Sequence, residues 1–264
     1  MTDKDHRRWL ARFAHWLVLA TSKTLSKETL ESKPALVFVP HPDDETLGCG
    51  GTILIKRERG TAVRVIYMTD GSGASNSSMD LVKIRHTEAL EACATLDLEA
   101  ESVEFMDFSD GHLADFEQQA VPQLIEILKR YPGYELYLPA ADDGHPDHEA
   151  TTRFVAAAAA KTGDWEINEY PVWRWNQYPF VMEKGCGLRC KARQVKSFIR
   201  YFLFDSTVKV PVKNQLEQKH SALSKHVSQM TKTYDDENFT LKEIGNGEWL
   251  SVLLTDYEVF KRQR

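Results

Sequence analysis

The stretch PALVFVPHPDDETLGCGGTI, residues 34–53, decides the fold. Its first six residues form a short apolar run, which predicts a buried strand over 34–39. The run stops at a histidine and three consecutive acids, and a helical stretch from Thr46 to Arg59 follows, closed by Gly60. Strand, polar turn and helix in that order open a βα unit. Working outward, AVRVIYM (62–68), VEFMDF (103–108) and YELYLPA (134–140) are β-branched or aromatic and predict three further strands. Helices are predicted over 80–96 and 116–130 and from Pro146 to Lys161. This alternation implies parallel strands joined by right-handed crossovers, with helices on both faces. The fold expected is therefore a three-layer α/β/α, Rossmann-like domain with a mostly parallel sheet and a C-terminal extension. Ligands in such folds bind beyond the carboxyl ends of the strands, where the strand order reverses.

Beyond residue 163 the pattern changes. EINEYPVWRW (166–175) and RYFLFDSTVKVPV (200–212) predict strands of an added region, and 213–230 predicts a helix. The chain is accordingly divided into an N-terminal extension, 1–32, and one catalytic domain, 33–264, in which 162–264 is an accessory region. In the extension, Trp9, Leu10, Phe13, Trp16, Leu17 and Leu19 recur at helical spacing with Arg7, Arg8 and Arg12 between them. A basic amphipathic helix of this kind suits either docking on the domain or a second subunit, the reading adopted, or peripheral contact with a membrane.

Composition narrows the function classes. A chain of 264 residues, 42% hydrophobic and 27% charged, is long enough for a full core and is not of disordered composition. A net charge of −6 argues against nucleic acid as a partner. Four cysteines in this length are no disulfide framework. Cys49 and Cys93 are read as core residues, and the Cys186–Cys190 pair as half of a metal site without a matching second half. The start MTDKDHRR lacks a cleavage signal, and WLVLA (16–20) is too short to span a bilayer, so a cytoplasmic location is expected.

Two clusters carry chemistry. The first is His41-Pro42-Asp43-Asp44-Glu45, where a strand runs into a turn. Three acids and a histidine buried there need a compensating cation. His41 and Asp44 converge across the turn and leave Asp43 beside them; capping of the next helix by an acid is the alternative. The second cluster is Asp142-Asp143-Gly144-His145-Pro146-Asp147-His148, after the strand at 134–140. Pro146 suits the first turn of a helix, which makes His145 its cap and puts His148 a turn in. Two histidines and one carboxylate with an open position make a catalytic zinc site, and other divalent transition metals fit the same donors. A spare carboxylate at Asp43 can take a proton from water. His145, if protonated, can stabilise an oxyanion or protonate a departing amine, and the basic limb of the pH profile would then follow its imidazole. Asp147 can orient a histidine. Gly48, Gly50 and Gly51 lack the Lys-Ser/Thr of a phosphate loop and are read as permitting close approach of helix to strand. Trp173 and Trp175 suit either a sugar face or the core. His226 and Gln229, a helical turn apart, suit either the site or a solvated face.

The motifs PHPDDETLGCGGTI (40–53), YMTDG (67–71), IRHTEAL (84–90), FSDGHL (108–113), GHPDHEAT (144–151) and KHSALSKHVSQM (219–230) together resemble the PIG-L/LmbE family of zinc-dependent N-acetylglucosaminyl deacetylases. Only Pro40, in place of the family's usual alanine before His-Pro, departs from the first motif. The resemblance implies zinc ligands His41, Asp44 and His148, a general base Asp43, and His145 as the group that stabilises the tetrahedral intermediate. It also implies Arg85 and Asp110 as holders of sugar hydroxyls, and a small-molecule or glycoconjugate amino sugar as substrate. The substrate's aglycone and the oligomeric state are left open. A phosphoesterase and an inactive sugar-binding homologue are the alternatives; the first lacks ligands for a second metal, and the second would have lost a ligand or Asp43.

Overall fold

The computed structural model describes residues 3–74, 79–177, 180, 187–200, 207–232 and 240–263. Among these, one eight-stranded sheet runs through the molecule. Its strands in chain order are β1 (Lys23–Thr24), β2 (Ala35–Val39), β3 (Val63–Thr69), β4 (Val103–Phe108), β5 (Glu135–Pro139), β6 (Ile167–Tyr170), β7 (Thr207–Pro211) and β8 (Tyr257–Gln263). They lie side by side as β1-β7-β8-β6-β5-β2-β3-β4. All pairs are parallel except those of β8, which runs antiparallel to β6 and β7. The three-layer, mostly parallel fold read from the sequence is the one found, with β8 as the antiparallel addition.

Side-chain alternation along the strands divides the core into two layers. Val37, Val39, Val65, Tyr67 and Tyr137 face one way, toward α3 (Asp44–Glu58), α4 (Met79–Thr95) and α8 (Leu216–Leu223). Leu36, Phe38, Ile66, Met68, Leu136 and Leu138 face the other, toward α5 (Glu117–Arg130) and α6 (Pro146–Ala159). The chain builds β2, β3 and β4 outward to one edge, then returns to place β5 on the other side of β2. Strand order therefore reverses between β2 and β5, and the two clusters follow these two adjacent strands.

Close approach explains the glycines of α3. A Cβ at Gly51 would lie 2.5 Å from Val212, and one at Gly48 would collide with the Tyr170 ring. Across the same contact, Glu258 of β8 accepts from Gly51 N and Thr52 N at 2.8 Å each and pairs with buried Lys219 at 2.7 Å.

The N-terminal helix α1 (Asp3–Thr21) docks on this domain. Ala14 and Val18 are buried in its core, and Ser22 Oγ meets Thr207 Oγ1 at 3.2 Å as the chain enters β1 beside β7. The C-terminal third departs from expectation in detail. EINEYPVWRW is a strand only over 167–170 and then a 3₁₀ turn, Trp173–Asn176. The helix expected over 213–230 is broken into a 3₁₀ turn, α8 and α9 (Val227–Met230). Further helices are α2 (Lys27–Glu31), α7 (Leu188–Phe198) and α10 (Glu248–Leu253). Cys49 and Cys93 are buried and free, as expected. Cys186 lies outside the described residues, and Cys190 is disulfide-bonded, so it offers no thiolate to a metal.

Candidate metal centre

The first cluster leaves the end of β2 through a strained turn. Asp43 has φ of 127°, a region that residues with a Cβ seldom adopt, and α3 starts at the next residue. No side-chain bond from Asp43 caps that helix. The turn is held from two sides. Glu45 Oε2 accepts from Asp43 N at 3.0 Å, and Gln229 Nε2 donates to Pro42 O at 2.6 Å and to Asp43 Oδ2. Glu45 is itself fixed by Thr46 Oγ1 at 2.6 Å and by His226 Nε2 at 2.8 Å. Glu45 and His226 are fully buried. The break between α8 and α9 thus brings both His226 and Gln229 against the first motif.

The second cluster arrives on α6. His145 is the N-cap, with its Nδ1 accepting from Asp147 N at 3.3 Å, and Pro146 occupies the first turn. His148 lies a turn inside, wholly buried. The two clusters meet at Asp44, whose Oδ2 lies 3.3 Å from His41 Nδ1 and 3.1 Å from His148 Nε2. Nδ1 of His148 lies 2.9 Å from Asp143 Oδ2. Asp147 turns away from this centre: its oxygens accept from Gly111 N at 2.7 Å and Leu113 N at 3.2 Å, and it reaches His41 Nε2 at 3.2 Å. Asp110 Oδ1 is also 3.2 Å from His41 Nε2. Donor atoms of His41, His145 and His148 all lie within 4.8 Å of one another, as do those of His41, Asp110 and Asp147.

Two observations bear on whether a divalent ion fits. His148 Nε2 is buried and makes no aligned hydrogen bond. Its 3.1 Å spacing from Asp44, with 3.3 Å from Asp44 to His41, is near the separation of about 3.3 Å between donors on a tetrahedral ion at about 2.0–2.1 Å. The second observation is electrostatic. Burial opposes a charge on either histidine. Even so, Asp110, Asp147 and Asp44 hold His41 well above the ordinary imidazole value, and Asp44 and Asp143 raise His148 to about 9. The acids thus draw two protons onto two histidines, the charge that a dication would supply with both imidazoles neutral. The charge and the two separations through Asp44 suit a divalent metal, while the donor sets that close within 4.8 Å draw on His41, His145 and His148 or on His41, Asp110 and Asp147.

Neighbouring carboxylates are driven apart. Burial, Asp44 and Glu45 push Asp43 well above the carboxylate range. Burial pushes Asp44 the same way, but His148 and His41 outweigh it and hold Asp44 below that range. Adjacent acids thus acquire different roles, one fixed as an anion and one able to take up a proton. His145 departs from the expectation of a protonated imidazole. Burial, then His41 and His148, push it down to about 4. Since Nδ1 accepts from Asp147 N, the neutral ring carries its hydrogen on Nε2 and remains a donor.

The cluster opens into a cleft of about 510 Å³, within the range of small-ligand sites. His41, Asp43, Asp44, His145, Arg85 and Asp110 all line it. Arg85 is buried, with Nη1 3.8 Å from Asp110 Oδ2. The tryptophans divide: Trp173 lines the cleft, stacked between His145 at 5.7 Å and Trp249 at 5.2 Å, whereas Trp175 is core. Asp143 makes that division, because its carboxylate accepts from the backbone nitrogens of Val172, Trp173 and Arg174 at 2.9–3.1 Å. From the sequence, Glu45 was at most one of two candidate caps of the next helix, and Asp143 had no assigned role. Their only signal was an acid in a predicted buried turn.

An α/β protein with a buried His/Asp centre at the switch point of its sheet is the class that fold and site define. Residues 36–159 match the model of the PIG-L family, described as GlcNAc-PI de-N-acetylase. A probable N-acetyl-alpha-D-glucosaminyl L-malate deacetylase 2 of Bacillus subtilis is 30% identical over 142 residues, 47% of this chain and 59% of that protein. The chain thus spans little more than half the length of the curated relatives it matches first. Among solved structures, N,N'-diacetylchitobiose deacetylase of Pyrococcus horikoshii superposes with a TM-score of 0.59 at 18% identity, covering 88% of this chain and 84% of that one. The 4-carboxy-2-hydroxymuconate hydratase of Pseudomonas putida does so with 0.56 at 15% identity, covering 88% and 95%. The fold is therefore shared by proteins named for different reactions, and function has to be argued from the site.

Proposed function

We propose that this protein is a metal-dependent hydrolase that removes the N-acetyl group from an N-acetylglucosamine-type sugar or its conjugate, releasing acetate and a free amine. The observation that carries this reading is the convergence of His41 and His148 on Asp44 Oδ2, with Asp43 beside them at the floor of the cleft. The deacetylase names of the family and of the Bacillus relative supply the bond and the sugar. His41 Nδ1, Asp44 and His148 Nε2 are the proposed ligands, and zinc the proposed metal. Asp147, whose two oxygens are already engaged by backbone N–H groups, acts as the orienting partner of His41 Nε2.

When bound, the metal polarises the acetyl carbonyl and increases the acidity of water. Asp43 accepts the proton of the attacking water, a task for which its raised basicity suits it. His145 Nε2–H donates to the carbonyl oxygen as negative charge develops there. Asp43 then returns its proton to the departing nitrogen, which leaves as the amine. Arg85, Asp110 and Trp173 line the cleft around the sugar. Acetate release from a panel of N-acetyl amino sugars, run beside aryl phosphates, tests the reading. Acetate from the sugars with no phosphate release supports it, and the reverse pattern refutes it.

A further inference from the structure

Ala14 and Val18 turn one face of α1 into the core, and the opposite face is left bare. Trp9 is 60% exposed, Phe13 44% and Trp16 60%. Their rings form one ridge, with Trp9 and Phe13 stacked at 5.4 Å and Phe13 and Trp16 at 5.7 Å. Three large aromatic rings side by side on the surface mark an interaction site rather than scattered exposure.

A second element is linked to α1 through a chain of ring contacts. His15 of α1 packs edge-on against Trp175 at 5.7 Å, Trp175 against Phe180 at 4.6 Å, and Phe180 against Phe198 of α7 at 5.5 Å. The segment 187–200 that contains α7 holds no acid in a chain of net charge −6. Arg189, Arg193, Lys196 and Arg200 are exposed there, and among the described residues none is paired with an acid. Leu188 is 88% exposed at the start of α7.

We infer that α1 and α7 together form a docking surface for an anionic phospholipid bilayer. Aromatic rings favour the boundary between headgroups and acyl chains, and the α7 cations, which have no acidic partner among the described residues, favour lipid phosphate. A second copy of the chain fits less well, because a two-fold contact sets the patch against itself and brings basic α7 near its own image. Nucleic acid fits less well because the ridge continues the apolar arc of α1 through Leu10 and Leu17. The surface adjoins the cleft through one turn. Arg174 Nη1 donates to Ser197 Oγ of α7 at 2.9 Å, and its neighbour Trp173 lines the cleft. The inference does not depend on the reaction proposed above.

The test uses the full chain and unilamellar vesicles, one set of phosphatidylcholine alone and one of equal parts phosphatidylcholine and phosphatidylglycerol. Co-sedimentation and quenching of tryptophan fluorescence by brominated lipid are read on the wild type, on Trp9→Ser/Phe13→Ser/Trp16→Ser and on Arg189→Gln/Arg193→Gln/Lys196→Gln. All three proteins are first checked for equal thermal stability. The wild type is expected to bind the anionic vesicles and to be quenched. The aromatic variant loses quenching, and the cation variant loses about five-fold in partitioning for each charge removed. Equal partitioning onto both vesicle types overturns the inference. So does anionic binding that neither variant weakens, or loss of a dimer in the aromatic variant with no vesicle binding by the wild type.

Discussion

Replacing Asp43 by asparagine is expected to move stability and activity in opposite directions. Three consecutive carboxylates are buried at the start of α3. Asp44 is paired with His41 and His148, and Glu45 with His226, whereas among the described residues Asp43 has the neutral amide of Gln229 against its oxygen and no ion pair, with His41 and Arg85 acting only from a distance. Its pKa is therefore raised in the folded protein by burial, Asp44 and Glu45. A carboxylate with a raised folded value stabilises the fold at low pH and loses that contribution as pH rises through the folded value. Ionised Asp43 is thus a liability to the metal-free protein. Asparagine removes the charge, keeps an acceptor for Gln229 and tolerates the positive φ. The metal-free Asp43→Asn protein is expected to gain about 0.5–2 kcal/mol, or a few degrees in Tm. The gain should shrink as pH falls toward the carboxylate range. Deacetylation should fall by about 100-fold or more, the scale of a lost general base, with metal content unchanged. Thermal melts of chelator-treated protein across pH, metal analysis and acetate release measure the three quantities. An Asn variant that is less stable and turns over normally would show that Asp43 is neither a buried charge liability nor the general base.

His145→Ala is expected to keep the metal and to lose about 2–4 kcal/mol of transition-state stabilisation, as for one oxyanion donor. Because His145 is held down to about 4 and is neutral at working pH, the kcat/KM profile should drop in height without shifting its basic limb; a displaced limb would restore the protonated imidazole. Lys219→Met leaves Glu258 charged and buried and should cost about 3–5 kcal/mol in urea unfolding, which Lys219→Met/Glu258→Leu should largely recover. Gly51→Ala must push Val212 away and should cost about 1–3 kcal/mol, and an unchanged urea midpoint would contradict the packing.

The sheet was legible because its central strands are short apolar runs bounded by turn residues. The run predicted at 34–39 is β2 at 35–39, and those at 62–68 and 134–140 are β3 and β5 within a residue at each end. Pro146 marked the start of α6 and made His145 its cap. The C-terminal part read less well. β8 gave no signal that separated it from a loop, because its alternation ends in the charged run Lys261-Arg262. The tract 213–230 has helical spacing throughout, yet the backbone breaks after Ser224, and tertiary contacts alone turn His226 to Glu45 and Gln229 to Asp43. The site's first tier was visible as motifs, while its supports depend on pairings between residues some 180 positions apart, which spacing along one chain does not encode.

The most direct test of the account is a metal titration of chelator-stripped protein, with bound metal and acetate release from an N-acetyl amino sugar followed in the same samples. Acetate release is expected to rise in step with occupancy and to saturate at one ion per chain. His148→Ala, with two of three proposed ligands left, is expected to fall short of that occupancy. Acetate release at full rate without metal, or full occupancy in His148→Ala, would contradict the proposed metal centre.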